Sequence, residues 1–110
     1  MNTNKIFTYN HHIPRLLSNI VNWAYDRNII EGGNSKDQCL KLVQEVGELS
    51  DSLCKGTTPI DDIGDCMVVL TLIAEQHGLT VQDCLEHAYN DIKDRKGTMV
   101  DGVFIKEENK

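Results

Sequence analysis

Residues 41–78, KLVQEVGELSDSLCKGTTPIDDIGDCMVVLTLIAEQHG, decide the fold. Two apolar periodic segments are separated by one punctuated break. Cys39, Leu42, Val43, Val46, Leu49 and Leu53 recur every three or four residues up to Lys55-Gly56, so the spacing predicts a helix over 36–55 with Ser35 as its cap. Thr58 then precedes Pro59, as at an N-cap followed by proline in a first turn, and Asp61 and Asp62 fall where the helix dipole favours anions. The next helix is expected to run to His77, with Gly78 ending it. Its stretch from Cys66 to Ala74 is apolar on every side except for Thr71, so it is expected to be surrounded by other helices. The β-branched run from Met67 to Ile73 also suits a buried strand, but length and flanking caps decide for helix.

Working outward, Leu16, Leu17, Ile20, Val21, Trp23 and Ala24 predict a helix over 13–28 that enters at Pro14 and stops before Glu31-Gly32-Gly33-Asn34. On the other side, Thr80 caps a helix from Val81 to Lys93 that turns Val81, Cys84, Leu85, Ala88 and Ile92 inward. Met99 to Ile105 reads as a short strand or extended arm around an Asp101-Gly102 turn. The fold expected is all-α, a four-helix bundle with a short C-terminal extended arm or hairpin, in one domain spanning 1–110.

Charge and cysteines narrow the function classes. Lys plus Arg is 11 and Asp plus Glu is 17, a net charge of −6 that disfavours nucleic acid polymers and anionic membranes. Cys39, Cys54, Cys66 and Cys84 form no CxxC pair, fall in periodic apolar stretches and are expected to be reduced and buried, as in a cytoplasmic protein. Met1 to Tyr9 has no basic region followed by an apolar run, and no segment reaches the length of a membrane span. His11, His12, His77 and His87 form no ligand or triad pattern.

The chemistry concentrates in a repeated pattern of acid, β-branched residue, glycine, acid: Glu45-Val46-Gly47-Glu48 and Asp62-Ile63-Gly64-Asp65. Acids at i and i+3 project about 60° apart on a helix, so each pair leaves from one side. Asp62 and Asp65 share their face with Cys66, Val69, Leu72 and Ile73, which need burial, whereas Glu45 and Glu48 fall at the edge of their helix's apolar stripe. Carboxylates forced together at a buried face repel and lose hydration unless a cation compensates. An all-oxygen donor set suits a hard ion, magnesium or manganese before zinc, with calcium also compatible. No Glu-x-x-His spacing of a di-iron site and no His-Glu-x-x-His zinc motif is present. Gly47 and Gly64 together cost about 2 kcal/mol of helix propensity, which predicts close helix approach beside the site. The alternative is a pair of solvated acidic faces.

These residues carry a resemblance. Lys41-Leu42-Val43-Gln44-Glu45-Val46-Gly47-Glu48-Leu49 followed by Asp61-Asp62-Ile63-Gly64-Asp65 resembles the paired acidic motifs of the MazG-like family of all-α nucleoside triphosphate pyrophosphohydrolases. The resemblance implies Glu45, Glu48, Asp62 and Asp65 as magnesium ligands, with Asp62 standing where the family usually has glutamate. It implies Glu48 or Asp61 as the water-positioning group and Asn90 and Lys93, within Asn90-Asp91-Ile92-Lys93-Asp94-Arg95-Lys96-Gly97, as phosphate contacts. Trp23, read from periodicity as core, and Lys41 become substrate contacts on the same ground. The expected reaction is hydrolysis of a nucleoside triphosphate to monophosphate and pyrophosphate. Helical dUTPases share the acidic architecture, and a nonenzymatic helical dimer binding a basic partner is a rival of another class. Trp23, Ile29, Ile30 and the apolar third helix exceed what so small a core buries, so a homodimer or a dimer of dimers is expected.

Overall fold

A computed structural model of the 110-residue chain describes residues 7–107; of the N-terminal stretch read above for targeting features, residues 1–6 lie outside it. The chain is an all-α bundle with a short C-terminal β-hairpin. Among the described residues five helices run as α1 (His12–Asp26), α2 (Ile29–Gly32), α3 (Ser35–Lys55), α4 (Ile60–Gln76) and α5 (Val81–Ile92), followed by β1 (Gly97–Val100) and β2 (Val103–Lys106). None of the described helices is long and apolar enough to cross a membrane.

The helix ends follow local chemistry, with three adjustments. The cap of α3 is Asn34 rather than Ser35, because the Asn34 side chain accepts from the Asp37 amide at 2.9 Å, and Ser35 is already helical. At the start of α4, Pro59 takes the cap position expected of Thr58 and makes no side-chain cap, while Asp61 and Asp62 lie in the first turn. The first helix ends at Asp26 rather than 28, since Asn28 turns left-handed (φ 58°) and starts the unexpected single turn α2. Elsewhere Thr80 and Asp83 form a reciprocal capping box, and Gly56 ends α3 at φ 74°.

Helix α4 is the centre of the body: α3 packs along one side, α1 and α2 along another, and α5 meets α4 alone. Ala24, Ile30 and Leu72 form the buried cluster, with Ile20, Ile29 and Val68 against it. Thr71, polar and buried, is accommodated because its hydroxyl donates to the Met67 carbonyl at 2.7 Å. Antiparallel pairing of β1 with β2 runs from Gly97 opposite Lys106 to Val100 opposite Val103, and Asp101 (φ 51°) and Gly102 (φ 82°) close the turn with both residues left-handed, the geometry that twists with the strands.

The core is smaller than the sequence periodicity suggests. Helix α5 buries no residue: Cys84, Leu85, Ala88 and Ile92 are exposed and Val81 is half-buried, because α5 leaves the Gly78 turn touching only α4. Helix α4 is likewise not enclosed, for Ile60, Ile63, Met67 and Leu70 remain exposed. Cys39, Cys54 and Cys84 are also exposed and Cys66 half-buried; all four are free thiols. Their apolar stripes exist, but none of the described elements covers them. The two acidic-motif glycines do not mark close approach either, since a Cβ added at Gly47 or Gly64 would meet nothing within 4 Å.

Candidate metal centre

Residues Ser35, Gln38, Leu42, Glu45, Leu49 and Ser52, spaced by three and four, form the side of α3 that turns into the body. Glu45 is therefore in the middle of the inward stripe, not at its edge, and is only 6% exposed. Glu48, almost a turn later, comes out at the rim and is exposed, as is Asp65 on the facing side of α4. One carboxylate oxygen from each of Glu45, Glu48 and Asp65 lies within 4.8 Å of the others. That span matches oxygens placed around one ion with bonds of roughly 2.1 to 2.4 Å.

The charges are poorly balanced by the protein. Lys41, one turn before Glu45, brings its Nζ to 3.3 Å from Glu45 Oε1. The second oxygen, Oε2, is buried and has no hydrogen-bond partner. The Glu48 carboxyl is held above the usual carboxylate range, first by hydrogen bonding to Glu45, then by the Glu45 charge, by burial and by Asp62, with Lys41 opposing. Two ionised carboxylates offer acceptors and no donor, so the Glu45–Glu48 bond exists only when a proton sits between them. A proton or a cation is what the geometry calls for. The triad can coordinate a divalent cation.

Asp62 is not part of the triad. It is half-buried in the first turn of α4, one turn before Asp65, and its side chain is a methylene shorter than the glutamate the resemblance leads one to expect there. Its charge still reaches the cluster, since Glu45, Asp62, Asp65 and Glu48 all push the Cys66 thiol up, in addition to the leading effect of burial. Cys66 is therefore a protonated thiol beside the acids rather than a nucleophile. Asp61 is exposed in the same first turn and outside the triad.

A cavity of about 370 Å³ adjoins the acids, walled by Trp23, Ile29, Val68, Val69 and Leu72 and edged by Gln38, Lys41, Glu45 and Asp65. Trp23 is 43% exposed, so it is not the core residue its periodicity suggests. It also borders a second hollow with Leu16, Asn19, Ile20, Asp65 and Val68. The Arg27 guanidinium lies 5.0 Å from the centre of the Trp23 ring and donates to the Trp23 carbonyl at 3.2 Å, fixing the indole. The sequence reading missed Gln38 and Ile29. Gln38 was accessible in principle, being three and seven residues before Lys41 and Glu45 on one helix face, whereas Ile29 depends on α2, too short to show a period.

Asn90 and Lys93 are not brought to the acids. Asn90 lies in the last turn of α5 and Lys93 is its C-cap; both are exposed, and among the described residues neither is hydrogen-bonded or ion-paired with the cluster.

The chain matches no protein-family model, and no solved structure matches it significantly. It is similar to an uncharacterized 18.2 kDa protein of the rep-hol intergenic region of Haemophilus phage HP1 (strain HP1c1), at 39% identity over 67 residues. The match covers 59% of this chain and 41% of the phage protein, so the chain spans less than half the length of that relative.

Proposed function

We propose that this chain is a MazG-like nucleoside triphosphate pyrophosphohydrolase that uses magnesium, or manganese, to cleave between the α and β phosphates, giving monophosphate and pyrophosphate. The observation that carries the reading is the meeting of Glu45, Glu48 and Asp65, one carboxylate oxygen of each within 4.8 Å of the others, with Glu45 buried and its Oε2 without a partner, an arrangement that a hard divalent ion relieves. Glu45, Glu48 and Asp65 would hold the ion, with Asp62 adding negative charge from the next turn. When bound, the ion supplies positive charge for phosphate oxygens and acidifies water.

The chain's own residues then divide the remaining work. Lys41 fixes Glu45 from the solvent side and offers a cation at the cavity edge. Trp23, braced by Arg27, presents an aromatic surface beside the acids on which a nucleobase stacks, and the apolar wall behind it limits water. Glu48, a member of the triad whose carboxyl is held above the usual carboxylate range by its hydrogen bond to Glu45, is the better-placed base; Asp61 is outside the triad. Phosphate contacts from Asn90 and Lys93 require α5 to approach the cluster more closely than it does in the single chain. A net charge of −6 suits a polyanionic substrate only through cations, which this site would gather. The reaction belongs in the cytoplasm, where triphosphates and magnesium coexist.

The test is a panel of ribo- and deoxynucleoside triphosphates with millimolar magnesium, reading monophosphate and pyrophosphate, repeated in EDTA and with Asp65→Asn. Metal-dependent pyrophosphate release lost in Asp65→Asn is expected. Strict preference for dUTP would move the chain to the helical dUTPases, and inactivity on every nucleotide would refute the enzyme reading.

A further inference from the structure

A separate cavity, of about 330 Å³, opens where α1, α4 and the start of α5 meet, and it shares no lining residue with the cavity beside the acids. Its volume falls at the lower end of the range for small-molecule sites. The walls are apolar and half-buried: Leu17 and Val21, four residues apart on α1, and Val81 in the first turn of α5. Helix α4 adds two polar residues, Thr71 and Glu75, also four apart and so on one side of that helix.

Bonds made elsewhere settle what these two polar groups offer. Thr71 is 3% exposed, and its hydroxyl hydrogen goes to the Met67 carbonyl at 2.7 Å, so only oxygen lone pairs remain for the cavity. Glu75 is half-buried, and its Oε1 accepts from the Tyr25 hydroxyl at 2.9 Å. Among the described residues no lysine, arginine or histidine pairs with that carboxylate. The cavity therefore holds acceptors and one uncompensated acid within apolar walls.

We infer that this cavity binds a small organic amine, its ammonium group between Glu75 and Thr71 and its apolar body against Leu17, Val21 and Val81. An ammonium carries three donors and no acceptor, the complement of a carboxylate and a hydroxyl oxygen. A purely apolar molecule would strip water from Glu75 and return no hydrogen bond, and an anion would be repelled by it. A hard metal ion takes several oxygen ligands, against a single carboxylate here. The occupant also has a mechanical consequence. Helix α5 packs against α4 alone, so a ligand held between Leu17, Val21 and Val81 joins α5 to α1 and steadies it. The inference does not rest on the proposed catalysis.

Benzylamine tests it, with benzyl alcohol as the uncharged counterpart of the same size, each titrated into the metal-free full chain while the methyl resonances are followed. Benzylamine is expected to shift Leu17, Val21 and Val81 saturably with a Kd of about 1 mM, an affinity within reach of so small a ligand, and to leave Ile29, Val68 and Val69 beside the acids unmoved. The alcohol should bind at least about tenfold more weakly, and Glu75→Gln, which keeps the shape and an acceptor for Tyr25, should weaken benzylamine by a similar factor. At about ten times its Kd, benzylamine should slow the amide exchange that requires α5 to detach by about tenfold. Circular dichroism checks that Glu75→Gln is folded, and the comparison of amine with alcohol on the unmodified chain stands without the variant. No saturable shift up to about 10 mM benzylamine, equal binding of the alcohol, a folded Glu75→Gln variant of unchanged affinity, or unchanged α5 exchange overturns the proposal. Shifts centred on Ile29, Val68 and Val69 overturn it too, since they assign the amine to the acid triad.

Discussion

Replacing Glu45 by glutamine should make the metal-free protein more stable while removing its response to magnesium. In the metal-free chain Glu45 Oε2 is buried without a partner, and the carboxylate sits in a cluster with those of Glu48 and Asp65. Glutamine keeps the shape, lets Oε1 accept from Lys41 and supplies an amide donor toward Glu48 and Asp65. Relieving one unsatisfied buried group contributes about 1–3 kcal/mol, and weakening the Lys41 ion pair costs about 0.5 kcal/mol. With unfolding entropy of about 2.1 cal/mol/K per residue, 1 kcal/mol corresponds to roughly 4 °C in a chain of this length. The variant is therefore expected to melt about 2–10 °C above the unmodified protein in EDTA. Magnesium at a hundredfold excess over its Kd stabilises the unmodified protein by about 2.7 kcal/mol, or roughly 12 °C, and should leave the variant unmoved. Thermal melts by circular dichroism in EDTA and in magnesium measure all four values. A variant that melts lower in EDTA, or that still gains several degrees from magnesium, refutes the argument that Glu45 is a frustrated charge awaiting a cation.

Other consequences are open to simpler measurements. The folded-state pKa of Glu48 lies above its ordinary 4.5, so the folded chain holds that proton more tightly than the unfolded one; this stabilisation is present at low pH and lost as pH rises through the raised value. Relative to Glu48→Gln, the unmodified protein in EDTA should thus lose stability on going from pH 4 to 7, and a constant difference across that range would contradict the shared proton. Gly64→Ala, in a helix interior with open space around the new Cβ, should raise the melting temperature by about 4 °C, whereas Gly56→Ala, at φ 74°, should lower it by a similar amount. Trp23→Ala should raise KM for nucleotide at least about tenfold with kcat less affected, as loss of a stacking surface predicts; an unchanged KM would remove Trp23 from the substrate site.

Much of the backbone was legible because its signals are local. Lys55-Gly56, the Thr80–Asp83 box and Asp101-Gly102 each carry their conformation in two to four residues, and the structure departs by a residue or two where Asn34 caps ahead of Ser35 and where Asn28 turns left-handed. The meeting of Glu45, Glu48 and Asp65 follows from spacing once α3 and α4 pair. The depth of each acid does not, because it depends on where α1 and α2 lie across α4: Glu45 goes under and Asp65 stays out, against the order expected from the apolar neighbours of each pair. The fate of α5 was least legible. Its stripe of Leu85, Ala88 and Ile92 says that a face wants burial, and nothing in a single chain's periodicity says whether the cover comes from the same molecule.

The C-terminal hairpin packs against none of the helices, and its strands pair only with each other. Two short strands hold together weakly in water, here favoured by the Phe104 ring laid over Gly97, the Asp101-Gly102 turn and the Glu107 amide donating to the Lys96 carbonyl at 2.8 Å. Its hydrogen bonds are therefore broken and remade without disturbing the helical body. In deuterated buffer the cross-strand amides should exchange nearly as fast as in a free peptide, while those of α4 wait for the whole body to open.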